Sequence, residues 1–253
     1  MLKSFAWVMA GLILPGIMCA ADTNETNNLK LFLLIGQSNM AGRGLVEPPD
    51  QVPHPRVFML TKEQHWVPAV DPVHFDKPER IGVGLASTFA RVIADDQPTI
   101  VVGLIPAAFG GTSLDEWKPG GPLYSNAITR AREATKRGTL VGILWHQGEA
   151  DAAPELAATY PERFAAMIAQ LRQDLDAADV PVILGELGQF GENTAEINAA
   201  LARVPDQVPR SAFVRSDGLG DKGDKVHFHS PALREFGRRY AEAWKTLSTR
   251  STL

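Results

Sequence analysis

Leu31-Phe32-Leu33-Leu34-Ile35-Gly36-Gln37-Ser38-Asn39-Met40 is the stretch from which the rest of the chain can be read. Five apolar residues follow one another without polar alternation, which suits a strand buried on both faces. The run stops at a glycine, and three polar residues follow at once. That order predicts a tight strand-to-helix turn that exposes Ser38 and points backbone N–H groups and a helix dipole outward.

Comparable apolar runs recur at residues 99–105, 140–145, 180–184 and 212–214. Amphipathic stretches at 84–95, 123–136, 154–178, 192–203 and 231–247 are predicted as helices, since their apolar residues recur at helical spacing. Strands alternating with helices imply right-handed βαβ units and a sheet covered on both faces. The expected fold is therefore a three-layer α/β/α sandwich on a five-stranded parallel sheet, as one domain over residues 29–250. Residues 44–80, with seven prolines and three histidines (His54, His65 and His74), read as a long irregular segment. A loop of that length is either a surface insertion or one wall of a cleft.

Composition narrows the classes of function. The 253 residues are 45% hydrophobic and 21% charged, which fits a globular protein rather than a disordered or fibrous one. The net charge of -4 carries no basic run, so the face that nucleic acid binding requires is not expected. Residues 1–21 have a different character. Lys3 precedes an apolar stretch from Phe5 to Met18, small residues stand at Cys19, Ala20 and Ala21, and a polar segment follows. This is the layout of a secretory signal peptide and is short for a membrane span. A secreted or periplasmic protein is expected, with no stable membrane association after signal removal. Cys19 is the sole cysteine, so removal of the signal leaves neither a disulfide nor a thiol nucleophile.

In open parallel sheets, ligands bind beyond the carboxyl ends of the strands. The residues at those ends are Gly36 to Met40, Phe109 to Ser113 and His146 to Asp151. Ser38 is either a nucleophile waiting for a base or a helix N-cap. The α/β-hydrolase elbow is disfavoured, because Met40 stands where that motif needs glycine. Asp224-Lys225-Val226-His227 places an acid and an imidazole three residues apart. The carboxylate can then fix the ring tautomer so that the other nitrogen accepts a serine proton. A surface turn explains the same spacing, and His229 is the alternative base. Gly110-Gly111-Thr112 and Gln147 offer amide donors for a developing oxyanion, or else a turn and a satisfied polar group. His227, His229, His146, Glu149 and Asp151 are metal-ligand types, but their spacing is generic, so no metal is expected. Trp66 and Trp117 are candidates for stacking on sugar, or packing residues.

Taken together these blocks resemble the SGNH hydrolase superfamily, and within it carbohydrate esterase family 6 and the sialate O-acetylesterases. The likeness rests on Gly36-Gln37-Ser38-Asn39-Met40, Gly110-Gly111-Thr112-Ser113, Trp145-His146-Gln147-Gly148-Glu149 with Asp151, and Asp224-Lys225-Val226-His227. It implies a flavodoxin-like sheet, with Ser38 as nucleophile, His227 as base and Asp224 as its orienter. It implies an oxyanion hole from the Ser38 amide, Gly110 or Gly111, and the Gln147 side chain. Gln37, Asn39, Thr112 and Glu149 are expected to support the site or touch substrate. The substrate implied is an acetylated oligo- or polysaccharide, such as acetylxylan, with O-acetyl sialic acid, or the lipid or thioester acyl groups of other SGNH esterases, the alternative and no cofactor. A non-catalytic carbohydrate-binding protein is the remaining class.

Overall fold

The computed structural model describes residues 28–249, so the expected signal segment lies outside the described residues. Strand β1 (Leu29–Gly36) opens the fold and runs directly into a one-turn helix, α1 (Ser38–Ala41). There follow β2 (Val57–Leu60), β3 (Trp66–Pro68), α2 (Leu85–Asp96), β4 (Val102–Pro106) and α3 (Pro122–Thr135). The chain continues through β5 (Gly138–His146), α4 (Pro154–Asp174), β6 (Val182–Gly185), α5 (Thr194–Gln207), β7 (Ser211–Val214) and α6 (Ser230–Thr249).

The sheet has seven strands in the order β3-β2-β4-β1-β5-β6-β7, not the five expected. The five strands read from sequence are β4-β1-β5-β6-β7, all parallel and in the flavodoxin-like order. The two additional strands come from the segment read as irregular. β2 pairs parallel to β4, and β3 pairs antiparallel to β2 at the sheet edge. Pro68 ends β3 there, at an edge where a missing N–H costs no ladder bond.

Alternation along β1 divides the core. Leu31, Leu33 and Ile35 pack with residues of α3, α4 and α5, whereas Phe32 and Leu34 pack with α2 and α6. Both faces of β1 are therefore dry, which accounts for its unbroken apolar run. Helix α4 ends four residues before the expected stop at residue 178. Asp176 takes a left-handed φ of 51°, its N–H donates to the Gln173 carbonyl, and the Ala177 N–H donates to the Arg172 carbonyl. Those paired bonds close the helix as a Schellman turn, which the apolar periodicity does not reveal.

The order of the strands makes the site. The chain leaves β1 for one side of the sheet, returns to β4, and then crosses to β5 on the other side. The loops following β4 and β5 thus diverge over the carboxyl end of β1, where Ser38 stands.

Candidate active site

Gly36 ends β1 with φ at 122°, and a Cβ there would collide with the His146 carbonyl oxygen of β5. Only glycine turns the chain so closely against β5. Ser38 then begins α1, where the N–H groups lack intrahelical partners. Its Oγ lies 2.9 Å from His227 Nε2, and His227 Nδ1 lies 2.7 Å from Asp224 Oδ2. The other Asp224 oxygen accepts the Val226 and His227 N–H groups at 3.0 and 2.8 Å. The tight turn that permits this places Lys225 at φ 57°.

Charge agrees with geometry. Partial burial raises the Asp224 carboxyl, but the His227 ring and the two backbone N–H groups outweigh it and hold the group well below the carboxylate range. Partial burial pushes His227 below its ordinary value, with Lys222 and Arg43 acting in the same direction and Asp224 pulling back. The imidazole is consequently neutral near pH 7, the form in which Nε2 can accept a proton.

Gln37 and Asn39, on either side of Ser38, both donate to Glu149. Gln37 Nε2 lies 2.5 Å from Oε2, and Asn39 Nδ2 lies 2.7 Å from Oε1. Glu149 therefore supports the turn that carries Ser38. Thr112 is buried, donates to the Phe109 carbonyl and accepts the Trp117 indole N–H, so it also supports a loop.

Two expected oxyanion donors are engaged elsewhere. The Gly110 N–H donates to Asp76 Oδ2 at 2.8 Å. Gln147 is buried and its amide nitrogen donates to the Thr112 carbonyl and to Asp151 Oδ2, at 3.0 and 2.7 Å. Asp151, four residues on, captures a side chain that the motif alone would aim at substrate. The amides of Ser38 and Gly111, the remaining members of the expected set, have no hydrogen-bond partner among the described residues.

Sequence reading did not single out Arg43, Asp76 or Lys77. Asp76 pairs with Arg43 at 2.8 Å, both buried, while Lys77 Nζ donates to the Gly110 carbonyl at 2.9 Å. Arg43 fills the space where a Gly110 Cβ would stand, and Ser38 Cβ lies 3.3 Å from the same point. The run His74-Phe75-Asp76-Lys77, with two charges and a histidine among prolines, was the available signal.

The metal-type residues do not converge. His146 is buried against Phe228 and Phe236, His229 Nδ1 accepts the Ala232 N–H, and Asp151 binds Gln147, Leu114 and Arg163. Among the described residues no three His, Cys, Asp or Glu side chains form a metal-holding group. Trp117 is fully buried, and Trp66 packs on Gly103 in the sheet. The large apolar side chains that stand open near the site are instead Phe109 and Val226, 40% and 44% exposed. Between Val226 and the loop from Leu187 to Thr194 lies a cleft of about 330 Å³.

A flavodoxin-like sheet bearing a serine, imidazole and carboxylate in line at its carboxyl edge is the arrangement of the SGNH hydrolases. A family model described as carbohydrate esterase, sialic acid-specific acetylesterase, matches residues 28–246. The chain belongs to this family, a class of carboxylic ester hydrolases. A probable carbohydrate esterase of Arabidopsis thaliana is 29% identical over 85% of this chain and 90% of its own length. The crystal structure of that plant protein superposes with a TM-score of 0.81 over 87% of this chain and 98% of the other. A probable 9-O-acetyl-N-acetylneuraminic acid deacetylase of Escherichia coli is 27% identical, over 57% of this chain and 60% of its own. The structure of NanS shares the fold at a TM-score of 0.75, with 20% identity over 88% of this chain and 98% of that one.

Proposed function

We propose that the protein removes O-acetyl groups from carbohydrate by a serine acyl-enzyme mechanism. The observation that carries this reading is the unbroken chain of hydrogen bonds from Ser38 through His227 to Asp224. Ser38 Oγ attacks the acetyl carbonyl carbon as His227 Nε2 takes its proton, and Asp224 stabilises the imidazolium. The Ser38 and Gly111 amides receive the oxyanion. Collapse of the tetrahedral intermediate breaks the ester C–O bond, and His227 returns the proton to the departing sugar hydroxyl. Water then attacks the acetyl-serine, giving its proton to His227, and collapse of this second intermediate breaks the acyl C–Oγ bond, releasing acetate as His227 returns the proton to Ser38 Oγ.

Acetylated polysaccharide of the acetylxylan kind is the first reading of the substrate, since Phe109 and Val226 offer open apolar surface beside Ser38. O-acetyl sialic acid is the second, favoured by the family description and by the name of the Escherichia coli relative. Ser38→Ala is expected to lower hydrolysis of an aryl acetate by about three orders of magnitude or more while leaving the unfolding temperature unchanged. Hydrolysis at the wild-type rate would refute the mechanism. Acetate release from acetylated xylo-oligosaccharides against O-acetyl sialic acid separates the two substrates.

The layout of residues 1–21 supports an exported enzyme. Among the described residues no helix is long and apolar enough to cross a membrane. Sequencing the amino terminus of protein recovered outside the cytoplasm should show cleavage near Ala21, and an intact Met1 there would contradict export through a cleaved signal.

A further inference from the structure

The base His227 stands on a loop whose own carboxylates, Asp221 and Asp224, accept four of its backbone N–H groups, yet its ring must still meet a serine 189 residues away. Two backbone bonds close the loop on itself, Lys222 N–H to the His227 carbonyl at 2.9 Å and His229 N–H to the Gly220 carbonyl at 3.2 Å. Neither ties it to β1. The tie is made by Asn39. Its Nδ2 donates to the Val226 carbonyl at 3.0 Å, and its Oδ1 accepts the Phe228 N–H at 3.1 Å. One buried amide thus brackets His227 from both sides. The remaining Nδ2 hydrogen goes to Glu149 Oε1, which fixes the amide orientation so that donor faces Val226 and acceptor faces Phe228.

We infer that Asn39 is the positioning residue that sets the Ser38–His227 distance, with Glu149 as its anchor. Asn39 is the residue next to the nucleophile in the chain. The bracket therefore converts the rigid turn at Ser38 into a rigid placement of the base, and a shift of either loop carries the other with it. Misplacing a reacting group by about 1 Å can cost about 100-fold in rate. Loss of the bracket should therefore appear in the chemical step and not in binding.

The inference rests on the serine mechanism proposed above, and the experiment separates the two. Wild type, Ser38→Ala, Asn39→Ala and Asn39→Asp are compared for aryl acetate kinetics and for the rate at which a fluorophosphonate labels Ser38. Asn39→Ala should lose about 10- to 100-fold in kcat and in labelling rate, with KM within about twofold of wild type. Asn39→Asp keeps the acceptor for the Phe228 N–H but loses both donors and faces Glu149, so it should show a comparable loss. The downfield proton NMR signal of the His227–Asp224 hydrogen bond should broaden or shift in both. Should the alanine variant not fold, the near-isosteric aspartate variant decides. A folded Asn39 variant labelled and turned over at the wild-type rate, or one whose whole loss lies in KM, overturns the inference alone. A wild-type protein that is neither labelled nor active, or an active Ser38→Ala, overturns the serine mechanism and the inference with it.

Discussion

His227 works under opposing influences, and their balance has a measurable sign. Burial, Lys222 and Arg43 favour the neutral ring, and Asp224 favours the charged one. The net effect is a pKa below the ordinary value of about 6.5. A base is active only when neutral, so the acid limb of kcat/KM should have its midpoint below about pH 6.5, with a plateau above it. Asp224→Asn removes the one contact that raises the imidazole pKa and leaves the wrong tautomer facing Ser38. That variant should lower kcat by about 10⁴-fold. A pH–rate profile of wild type with no acid limb would show that His227 is not the proton acceptor. A limb centred above about pH 7 would show that Asp224 dominates over burial.

At the scale of elements, what was legible depended on how local the cause is. Asp224 and His227 meet within one turn, so their pairing could be read from spacing. Ser38 and His227 are joined only by the fold, and what linked them was their position at the ends of predicted elements together with the likeness to a family. β1 announces itself because both of its faces are buried. β2 is an apolar run of four residues set among prolines, and β3 is a three-residue edge strand. Both rely on β4 for their pairing partner or their neighbour's, and tertiary context of that kind leaves little local trace. The pairing of Arg43 with Asp76 is equally invisible, because a charge run in sequence normally signals a solvated surface. In the fold these two are buried, and with Lys77 they grip the Gly110 peptide from both sides. A trans peptide whose carbonyl faces Lys77 must send the Gly111 N–H the opposite way. The segment at 74–77 is thus part of the apparatus of the glycine loop and not a passive insertion. The partners of the Gln147 amide were hidden for a related reason. Its partner Asp151 belongs to the same motif, and residue types alone do not decide which of two neighbours an amide will choose.

Over the whole molecule, the same burial that forms the core ties stability to pH. Burial pushes His146 down to about 3 and His74 down to about 4, the latter against the pull of Asp76. In the unfolded chain both titrate near 6.5. Their folded values are depressed, so at any pH between the two the unfolded state binds the additional proton. The stability they allow is present above about pH 6.5 and is lost as pH falls toward 4 and then 3. Each histidine should cost about 2 kcal/mol between about pH 7.5 and 5. Asp71 acts in the opposite sense. Desolvation raises it to about 6 despite bonds from Ser87 and the Gly84 N–H, so its burial favours folding in acid and opposes it as pH rises through 6. That offsets part of the loss over the same interval, leaving a net loss on the order of 2 kcal/mol from these three groups. Urea unfolding at the two pH values should show this loss. In His146→Phe, where an apolar ring replaces one packed among Phe228, Phe236 and Tyr240, about 2 kcal/mol of the dependence should disappear. Equal stability of wild type at both pH values, or an undiminished pH dependence in the variant, would mean that the His146 ring is not held neutral by the core.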